Sequence, residues 1–371
     1  MELTAREALI ALNLVPGLGS VRIQSLLEFF GSAELALSAP VQMLTKVPRL
    51  GEKMAAALAD WRHCTNVYAE LECAERLGAR VVTFLDADYP DALRRMSDPP
   101  IVLYVLGAWQ QEDANRAVSL VGTRVATPYG LSCARRFARD LADTAGCTII
   151  SGLARGIDTA AHWGALDAGG RTIAVLGGGL AQLFPSENIE LAQRIVDGHG
   201  AVVSEFPMNM RPSRNSFPQR NRIVAAWSKA TLVAEAAARS GSLHTARLSA
   251  ELYGNLVFAI PGAVTSAASI GCNQLIRDGA ILCNSPQELI SDMGWDKTPR
   301  QLDLFSPQPQ QQTSANESPL LSAIAAGHNT LDALCSALGQ PAHELTPQLI
   351  RLQIERKIAP TPGGVYTLLP G

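Results

Sequence analysis

The stretch Ser151-Gly152-Leu153-Ala154-Arg155-Gly156-Ile157-Asp158 lies at the centre of the longest regular pattern in the chain. It follows the apolar run Thr148-Ile149-Ile150 and leads into an alanine-rich helical pattern, which together predict a strand, a glycine turn and a helix. Such a turn directs backbone N–H groups and the positive end of a helix dipole towards an anion. The stretch therefore predicts a phosphate-binding turn, with the alternative that its glycines only permit a tight connection.

Around this turn, apolar strand candidates alternate with helical stretches from about residue 117 to residue 290. The candidates are 118–121, 148–150, 172–175, 201–203, 231–234 and 256–260. Apolar strands separated by helices predict an α/β fold with an extended, Rossmann-like parallel sheet covered on both faces. Two further candidates, 81–85 and 101–106, are expected to lead into this domain, at an added edge of its sheet. Ligands of such sheets bind at the loops that follow the strands.

Two of these loops carry simple anion-binding signals. Arg124 follows a strand candidate directly, and its guanidinium can bind a phosphate at two points. Taken alone, this arginine could as easily form a surface ion pair. The turn Ser240-Gly241-Ser242 begins a helix, so its hydroxyl and N–H groups form a second anion nest.

The loop after the fourth core strand is strongly basic. Residues 206–234 contain no Asp or Glu but hold Arg211, Arg214, Arg220, Arg222 and Lys229. Phe217 and Asn221 lie among these arginines. Cations follow a nucleic-acid backbone and an aromatic ring stacks on a base, so this loop predicts binding of single-stranded nucleic acid. A solvated basic face would explain the charge but not its position at the ligand edge.

Composition and spacing argue against several other classes of protein. The net charge of −3 means that any polyanion must be bound by local clusters of cations. The glycine spacing matches neither the dinucleotide fingerprint nor a Walker loop, and the seven scattered cysteines lack a C-x-x-C pair. We therefore expect no cofactor and no metal. Asp158 and His162 share a helical face, and we expect them to cap the turn and pack beneath it rather than to catalyse a reaction.

Neither a signal peptide nor an apolar run of membrane-spanning length is evident in the sequence. With reduced thiols expected as well, the sequence predicts a cytoplasmic protein without a membrane span.

Residues 1–75 form a helical region with an internal repeat. Val15-Pro16-Gly17-Leu18-Gly19 recurs as Val47-Pro48-Arg49-Leu50-Gly51, and each copy precedes a helical pattern. This region resembles a tandem helix-hairpin-helix (SAM-like) domain. The resemblance implies that Gly17, Gly19 and the side chain of Arg49 contact a DNA backbone, that of a duplex included, without reading bases. A small helical scaffold with glycine-closed turns is an equally good interpretation.

The C-terminal part divides into a linker at 296–318 and a domain at 319–371. The linker contains Gln301-Leu302-Asp303-Leu304-Phe305, which resembles the pentapeptide that docks bacterial proteins on the sliding clamp. Leu304 and Phe305 would enter an apolar pocket while Gln301 forms hydrogen bonds; alternatively, Leu302, Leu304 and Phe305 anchor the linker on the core. Residues 319–371 follow a pattern of three helices and a hairpin that resembles a winged helix. The third helix of this domain is only weakly basic. Its partner could therefore be either a DNA duplex or a protein.

The loops of the core, residues 76–295, resemble the bacterial DNA-processing protein A (DprA/Smf) family. The matching segments are 121–124, 151–162, 172–177, 204–205, 217–223, 235–236, 240–246 and 261–262. The resemblance implies a non-enzymatic homodimer that binds single-stranded DNA and passes it to the RecA recombinase during natural transformation. The implied contacts are Arg124, Gly152, Leu153, Ala154, Arg155, Gly156, Phe217, Arg220 and Asn221. Gln219 stands where the family often has a basic residue.

An enzyme is the alternative. Nucleotide-binding Rossmann proteins such as the cytokinin-activating phosphoribohydrolases also place glycine loops and a glutamate on this edge, and the chain resembles them there. Glu205 and Glu235 would then be the catalytic candidates. The basic loop and the two flanking DNA-type modules favour a DNA-binding protein.

Overall fold

The protein is described by a computed structural model that covers residues 3–296, 319–354, 357–361 and 365–368. The chain divides into two compact units, residues 1–298 and residues 299–371. The segment 301–305, in which the clamp-docking motif is predicted, lies outside the described residues.

The first unit begins with seven helices. They are α1 (Ala5–Leu14), α2 (Ser20–Phe30), α3 (Ala33–Ser38), α4 (Val41–Leu44), α5 (Gly51–Ala59), α6 (Trp61–Cys64) and α7 (Val67–Arg76). The internal repeat recurs in the backbone, because Gly17 (φ 81°) and Arg49 (φ 68°) both adopt the left-handed conformation. Arg22 joins the two turns: its Nε donates to the Arg49 carbonyl at 3.1 Å and its Nη1 donates to the Gly17 carbonyl at 2.8 Å.

A nine-stranded sheet follows within the described residues. Its strands are β1 (Arg80–Thr83), β2 (Val102–Gly107), β3 (Ala117–Val121), β4 (Thr148–Ser151), β5 (Thr172–Val175), β6 (Gly200–Ser204), β7 (Ala230–Val233), β8 (Leu256–Ala259) and β9 (Ile281–Leu282), in the spatial order β1-β2-β6-β5-β4-β3-β7-β8-β9. The strands from β6 to β9 in this order are parallel, whereas β2 pairs antiparallel with β6, and β1 antiparallel with β2. The predicted Rossmann-like sheet is confirmed, with β1 and β2 as its added edge. Only β9 was not predicted, because two residues are too short for a periodic signal.

Helices cover both faces of the sheet. They are α8 (Asp91–Arg94), α9 (Pro128–Ala145), α10 (Ile157–Asp167), α11 (Ile189–Arg194), α12 (Ser216–Trp227), α13 (Ser242–Tyr253), α14 (Ile270–Arg277) and α15 (Pro286–Asp292). Side chains alternate along each strand. In β3, Val118 and Leu120 therefore pack in the apolar cluster of α9 and α10, while Ala117 and Val121 pack in the cluster of α12 and α13.

The helical region packs against the sheet through a third apolar cluster. Leu9 and Leu12 of α1 belong to the same buried cluster as Val102 and Tyr104 of β2. The helical region and the sheet thus share one continuous core within the first unit, although the sequence predicts a domain boundary near residue 75.

The second unit contains α16 (Pro319–Ala325), α17 (Leu331–Leu338), α18 (Ala342–Ile354) and an antiparallel hairpin of β10 (Ile358–Thr361) and β11 (Val365–Leu368). Leu320, Leu334, Leu345 and Leu349 form its buried core with Ile358. This is the order of elements that the sequence predicts for a winged helix. Across the described residues of both units, no helix is long and apolar enough to cross a membrane.

Candidate nucleic-acid interface

The carboxyl ends of β3, β4 and β7 form a rigid floor at one edge of the sheet. The loops that follow them are joined by backbone hydrogen bonds, from Thr123 N to the Glu235 carbonyl (2.7 Å) and from Ile157 N to the Thr123 carbonyl (3.2 Å). Gly122 is needed between these loops, because a Cβ there would lie 2.5 Å from the Ile157 side chain. The floor is therefore set by the fold before any ligand binds.

A groove of about 670 Å³ opens over this floor. Its walls come from the four loops that carry the predicted binding residues. They are lined by Val121, Gly122, Thr123, Arg124, Ala154, Asp158, Arg214, Phe217, Pro218, Arg220, Asn221, Ser240, Gly241, Ser242, His244 and Thr245. Arg214, His244 and Thr245 were not predicted as site residues; of these, Arg214 was detectable only as one cation of the basic loop.

Arg124 and Phe217 form a stacked pair at the mouth of the groove. The Arg124 guanidinium lies 4.3 Å from the centroid of the Phe217 ring. The ring is held against Gly177, where a Cβ would approach it to 2.7 Å. Arg124 is exposed, and none of the described carboxylates forms an ion pair with it. The exposed guanidinium of Arg124 and the partly exposed ring of Phe217 therefore lie side by side, where both can contact a ligand.

A smaller pocket of about 80 Å³ lies beside the groove, and Arg124 and Phe217 line both cavities. Its other walls are mainly apolar and include Phe184, Pro185 and Pro212. We call it the side pocket. Phe184 is 50% exposed, although aromatic side chains normally favour burial. Phe184 follows the triple-glycine turn after β5 and belongs to no periodic pattern in the sequence.

Arg220 lines the groove with only a small part of its side chain, and the rest is buried beneath it. Only 3% of it is exposed. Its Nη1 donates to the Gly152 carbonyl at 2.6 Å and also to the Val175 carbonyl, and its Nε donates to Asn221 Oδ1 at 3.1 Å. Burial lowers the pKa of this guanidinium to about 10. Arg220 thus supports the turn that forms the groove floor, with Asn221 beside it, and its direct contact with a phosphate stays a prediction.

The glycine turn does not present the open N–H nest that its sequence suggests. The backbone N–H groups of Gly152 and Ala154 point to Asp158 Oδ2, at 3.1 and 3.4 Å. Asp158 thus occupies the position expected for a ligand phosphate, and burial raises the pKa of its carboxyl. Ser151 donates its hydroxyl to the Leu120 carbonyl at 2.7 Å, and the Leu153 side chain is fully buried.

The tethering role expected of Asp158 and the packing role expected of His162 agree with the structure. His162 is fully buried, and its Nδ1 lies 2.7 Å from Thr172 Oγ1, whose hydroxyl donates to the Ile149 carbonyl. Nδ1 must therefore carry the proton and donate it. Burial, assisted by the nearby Arg220 charge, lowers the pKa of His162 to about 3, so the ring is neutral.

Two other predicted contacts are engaged in ion pairs. Arg155 is exposed at the rim of the side pocket and donates from Nη2 to Glu187 at 3.0 Å, while Gly156 (φ 77°) supplies the left-handed residue before α10. Arg222 does not line the groove. It pairs with Asp98 at 3.1 Å and with Glu205, and it faces a different cavity. Its prediction as a groove contact is therefore wrong, because the helix turns it away from Phe217.

The remaining anion nest lies at the start of α13. Ser240 Oγ and Ser242 Oγ are 2.8 Å apart, and Gly241 between them is exposed at the groove. The hairpin residues Gly17, Gly19 and Arg49 lie apart from the groove and line the cavity that Arg222 faces.

The carboxylates proposed for an enzyme are held in structural contacts. Glu235 is 2% exposed and accepts hydrogen bonds from the backbone N–H (2.8 Å) and the hydroxyl (2.6 Å) of Thr127, at the start of α9. Glu205 pairs with Arg222, and burial raises the pKa of its carboxyl. Neither lines the groove. In the part of the chain that the structure describes, no group of three or more His, Cys, Asp or Glu side chains could hold a metal ion.

Comparison with known proteins assigns both units. The family model for DNA recombination-mediator protein A matches residues 80–294, and the model for the DprA winged helix domain matches residues 306–364. The chain is 39% identical over 284 residues to Protein Smf of Escherichia coli, covering 76% of this chain and 75% of that protein.

Two solved structures are also similar. The X-ray structure of DNA processing protein A from Streptococcus pneumoniae matches with a TM-score of 0.67 and 31% identity, over 79% of this chain and 99% of that one. DNA processing protein A from Helicobacter pylori, in a structure described as giving insight into its single-stranded DNA binding mode, matches with a TM-score of 0.51 and 31% identity, over 58% of this chain and 95% of that one. The predicted resemblance and the predicted winged helix are thereby confirmed, and the chain belongs to the DNA recombination-mediator protein A family.

Proposed function

We propose that the groove binds single-stranded DNA and that the protein is a non-enzymatic recombination mediator, which delivers this strand to the RecA recombinase. The observation that carries the proposal is the Arg124–Phe217 pair, in which a cation without a carboxylate partner among the described residues and an aromatic ring meet at the mouth of one cavity. The description of the H. pylori relative as a single-stranded DNA binder supports the same function.

Single-stranded DNA suits this site better than a duplex does. An unpaired base can stack on Phe217, which is worth about 1–3 kcal/mol per base, while the base of a duplex is already stacked on its neighbours. The adjoining side pocket offers Phe184 and two prolines to the face of a base. Arg124 and Arg214 can follow the phosphates, and the N-terminus of α13 adds partial positive charge.

Fluorescence anisotropy with labelled oligothymidylate and with a duplex of equal length tests this proposal. We expect Arg124→Ala to weaken single-strand binding and to reduce the slope of log affinity against log salt by about 0.7, the value for one contact to a single strand. Arg62→Ala is the matched control, because Arg62 also lies over an aromatic ring, 4.5 Å from the Trp61 centroid, but is not part of the groove lining. Equal affinity of the parent and Arg124→Ala at every salt concentration would overturn the proposal.

Delivery to RecA is the finer part of the proposal and needs its own assay. We expect the protein to shorten the lag of RecA ATP hydrolysis on DNA coated with a single-strand-binding protein, and Arg124→Ala to lose this effect. Family membership supports this role in the cytoplasm during natural transformation, and it supports a homodimer, which analytical ultracentrifugation would detect. A monomer at all concentrations would contradict the dimer but not the DNA site.

Docking on the sliding clamp through Gln301, Leu302, Leu304 and Phe305 is proposed from the sequence alone. We expect purified clamp to bind the full chain and not the double variant Leu304→Ala, Phe305→Ala. Equal binding by both proteins would exclude this use of the motif.

A further inference from the structure

A second cavity, of about 560 Å³, lies between the helical region and α12, inside the first unit. We call it the hairpin cavity. The first hairpin turn, from Val15 to Arg22, forms one wall together with Arg49. The loop after β6 and one face of α12, with Ser216, Gln219 and Arg222, form the other. No groove residue is shared with it.

The hairpin cavity and the groove are separated by the thickness of one chain segment. On α12, Phe217, Arg220 and Asn221 border the groove, whereas Ser216, Gln219 and Arg222 border the hairpin cavity. In the segment before α12, successive residues likewise face the groove side and the hairpin cavity in turn.

In that segment Pro212 and Arg214 face the groove side, and Ser213 and Asn215 face the hairpin cavity. Since a helix with its side chains is about 10 Å across, an extended polymer in the groove can reach the hairpin cavity within a few monomers.

The hairpin cavity has unpaired positive charge. Its two carboxylates, Asp98 and Glu205, both pair with Arg222. Arg22 donates to backbone carbonyls, and Arg49 has no side-chain partner among residues 3–296. Arg211 and Arg214, at the crossing between the two cavities, are exposed. A polyanion therefore meets cations on both sides of α12 and on the segment between them.

Arg49 has a left-handed backbone conformation, which glycine adopts with less strain than arginine. Its φ of 68° matches the φ of 81° at Gly17 in the first copy of the repeat. For a residue with a Cβ, this conformation is strained. Since the Arg49 side chain makes no intramolecular bond in the described residues, its benefit must lie outside the fold, and it lines the hairpin cavity.

Gly19 leaves the backbone open at the same cavity. Its φ is −85°, which any residue can adopt, and no atom of the described residues lies within 4 Å of the position that a Cβ would take. Neither the backbone conformation nor packing within the chain therefore requires glycine here. Close approach of a ligand to the backbone is the remaining physical use for a missing side chain.

We propose that the hairpin cavity binds the phosphate backbone of the same single strand that occupies the groove, with Arg49 and Arg22 as its cations. This inference rests on the proposed function and extends the DNA track across α12. It assigns the hairpin to a single strand that continues from the groove, rather than to a separate duplex.

Binding measured over a series of oligothymidylate lengths tests this track with Arg49→Gly. We expect the variant to bind the shortest oligonucleotides, which fill only the groove, as the parent does. Above a threshold length we expect its affinity to be several-fold lower, with a salt slope smaller by about 0.7, the value for one contact to a single strand. Lys53→Ala, another exposed cation of the helical region, is the matched control and should bind all lengths normally.

Folding does not confound this test. Glycine relieves the strain at residue 49 while adding freedom to the unfolded chain, so the melting temperature should stay within a few degrees of the parent value. Equal affinity of parent and Arg49→Gly at all lengths, with Arg124→Ala still defective, would overturn the hairpin track and leave the groove intact. Loss of duplex binding alone would also overturn it. If Arg124→Ala too binds every length normally, the proposed function itself fails.

Discussion

The guanidinium of Arg220 lies directly beneath Gly152, with Nη1 donating to the glycine carbonyl at 2.6 Å. A Cβ on Gly152 would lie 2.4 Å from Nη2 of the same arginine. Glycine is therefore required at residue 152 because the buried side chain of Arg220 packs against it, and not only because a ligand approaches the turn from the groove. This contact connects the loop after β4 to the first turns of α12, and both carry residues of the groove.

Gly152→Ala should destabilise the protein. The new methyl group must displace either the buried guanidinium or the turn, and overpacking of this kind costs about 1–3 kcal/mol. Urea denaturation followed by circular dichroism measures the change. Gly19→Ala is the matched control, because its φ is ordinary and its added Cβ has no neighbour within 4 Å in the part of the chain that the structure describes. If Gly152→Ala lowers the free energy of unfolding no more than this control does, the side chain of Arg220 or the turn can move aside at little cost.

Arg220→Ala should be more destabilising still. It leaves the carbonyls of Gly152 and Val175 without their donor and removes a positive charge that favours the ionised form of the buried Asp158. Each buried carbonyl left without its donor costs about 1–3 kcal/mol, and two carbonyls lose it here. Adding Asp158→Asn should restore part of that loss, which urea denaturation of both variants would show. No recovery in the double variant would mean that the two charges are not coupled.

The fold was largely accessible from the sequence because its signals are local. The apolar runs between glycine-rich turns predict strands, and the structure has strands there. The repeat at Gly17 and Arg49 corresponds to two turns in which both residues have a left-handed backbone conformation. These features depend on the alternation of apolar and polar residues and on the freedom of glycine, and both can be read within a few residues.

The site was harder to predict from the sequence, because the direction in which each side chain points decides whether it faces the groove. Arg220 and Arg222 were predicted together as contacts in one basic loop, yet that loop is a helix, on which residues two apart point to different sides. Arg220 consequently points beneath the groove and Arg222 towards Asp98 and Glu205. Nor does the sequence show that the turn's own Asp158 takes up the N–H groups that suggest a phosphate nest.

The stability of the protein should fall in mild acid because of His162. Burial lowers its folded pKa to about 3, below the ordinary value of about 6.5, so the unfolded chain binds the proton more readily. This contribution is fully present above about pH 6.5 and is lost progressively as the pH falls towards 3. At pH 5 the loss is about 2 kcal/mol in the free energy of unfolding.

His162→Asn should reduce the difference in stability between pH 7 and pH 5, since asparagine can still donate to Thr172 without gaining a proton. Urea denaturation at both values measures it. His244→Asn, at an exposed position, should keep the slope of the parent protein. An unchanged slope in His162→Asn would show that the buried ring is not the group responsible.

Phe217→Leu should weaken binding of single-stranded DNA while its salt dependence stays unchanged. Leucine keeps an apolar contact with Gly177 but offers no ring to a base or to Arg124. Loss of one stacked base at about 1–3 kcal/mol corresponds to roughly 5- to 150-fold in affinity. Anisotropy titrations at several salt concentrations separate this effect from that of Arg124→Ala, which should change the slope. A lower slope in Phe217→Leu would indicate that the ring acts only by positioning the arginine.

Glu235→Gln tests whether this carboxylate is structural or catalytic. Glu235 accepts two hydrogen bonds from Thr127 at the start of α9, and its side chain presses on Gly130, where a Cβ would lie 2.4 Å from Oε2. The amide can keep only one acceptor oxygen, so we expect a loss of about 1–3 kcal/mol in stability. Single-strand affinity should stay near the parent value, because Glu235 does not line the groove. Release of a base from nucleoside monophosphates by the parent, abolished in Glu235→Gln, would instead establish the enzyme that the proposed function excludes.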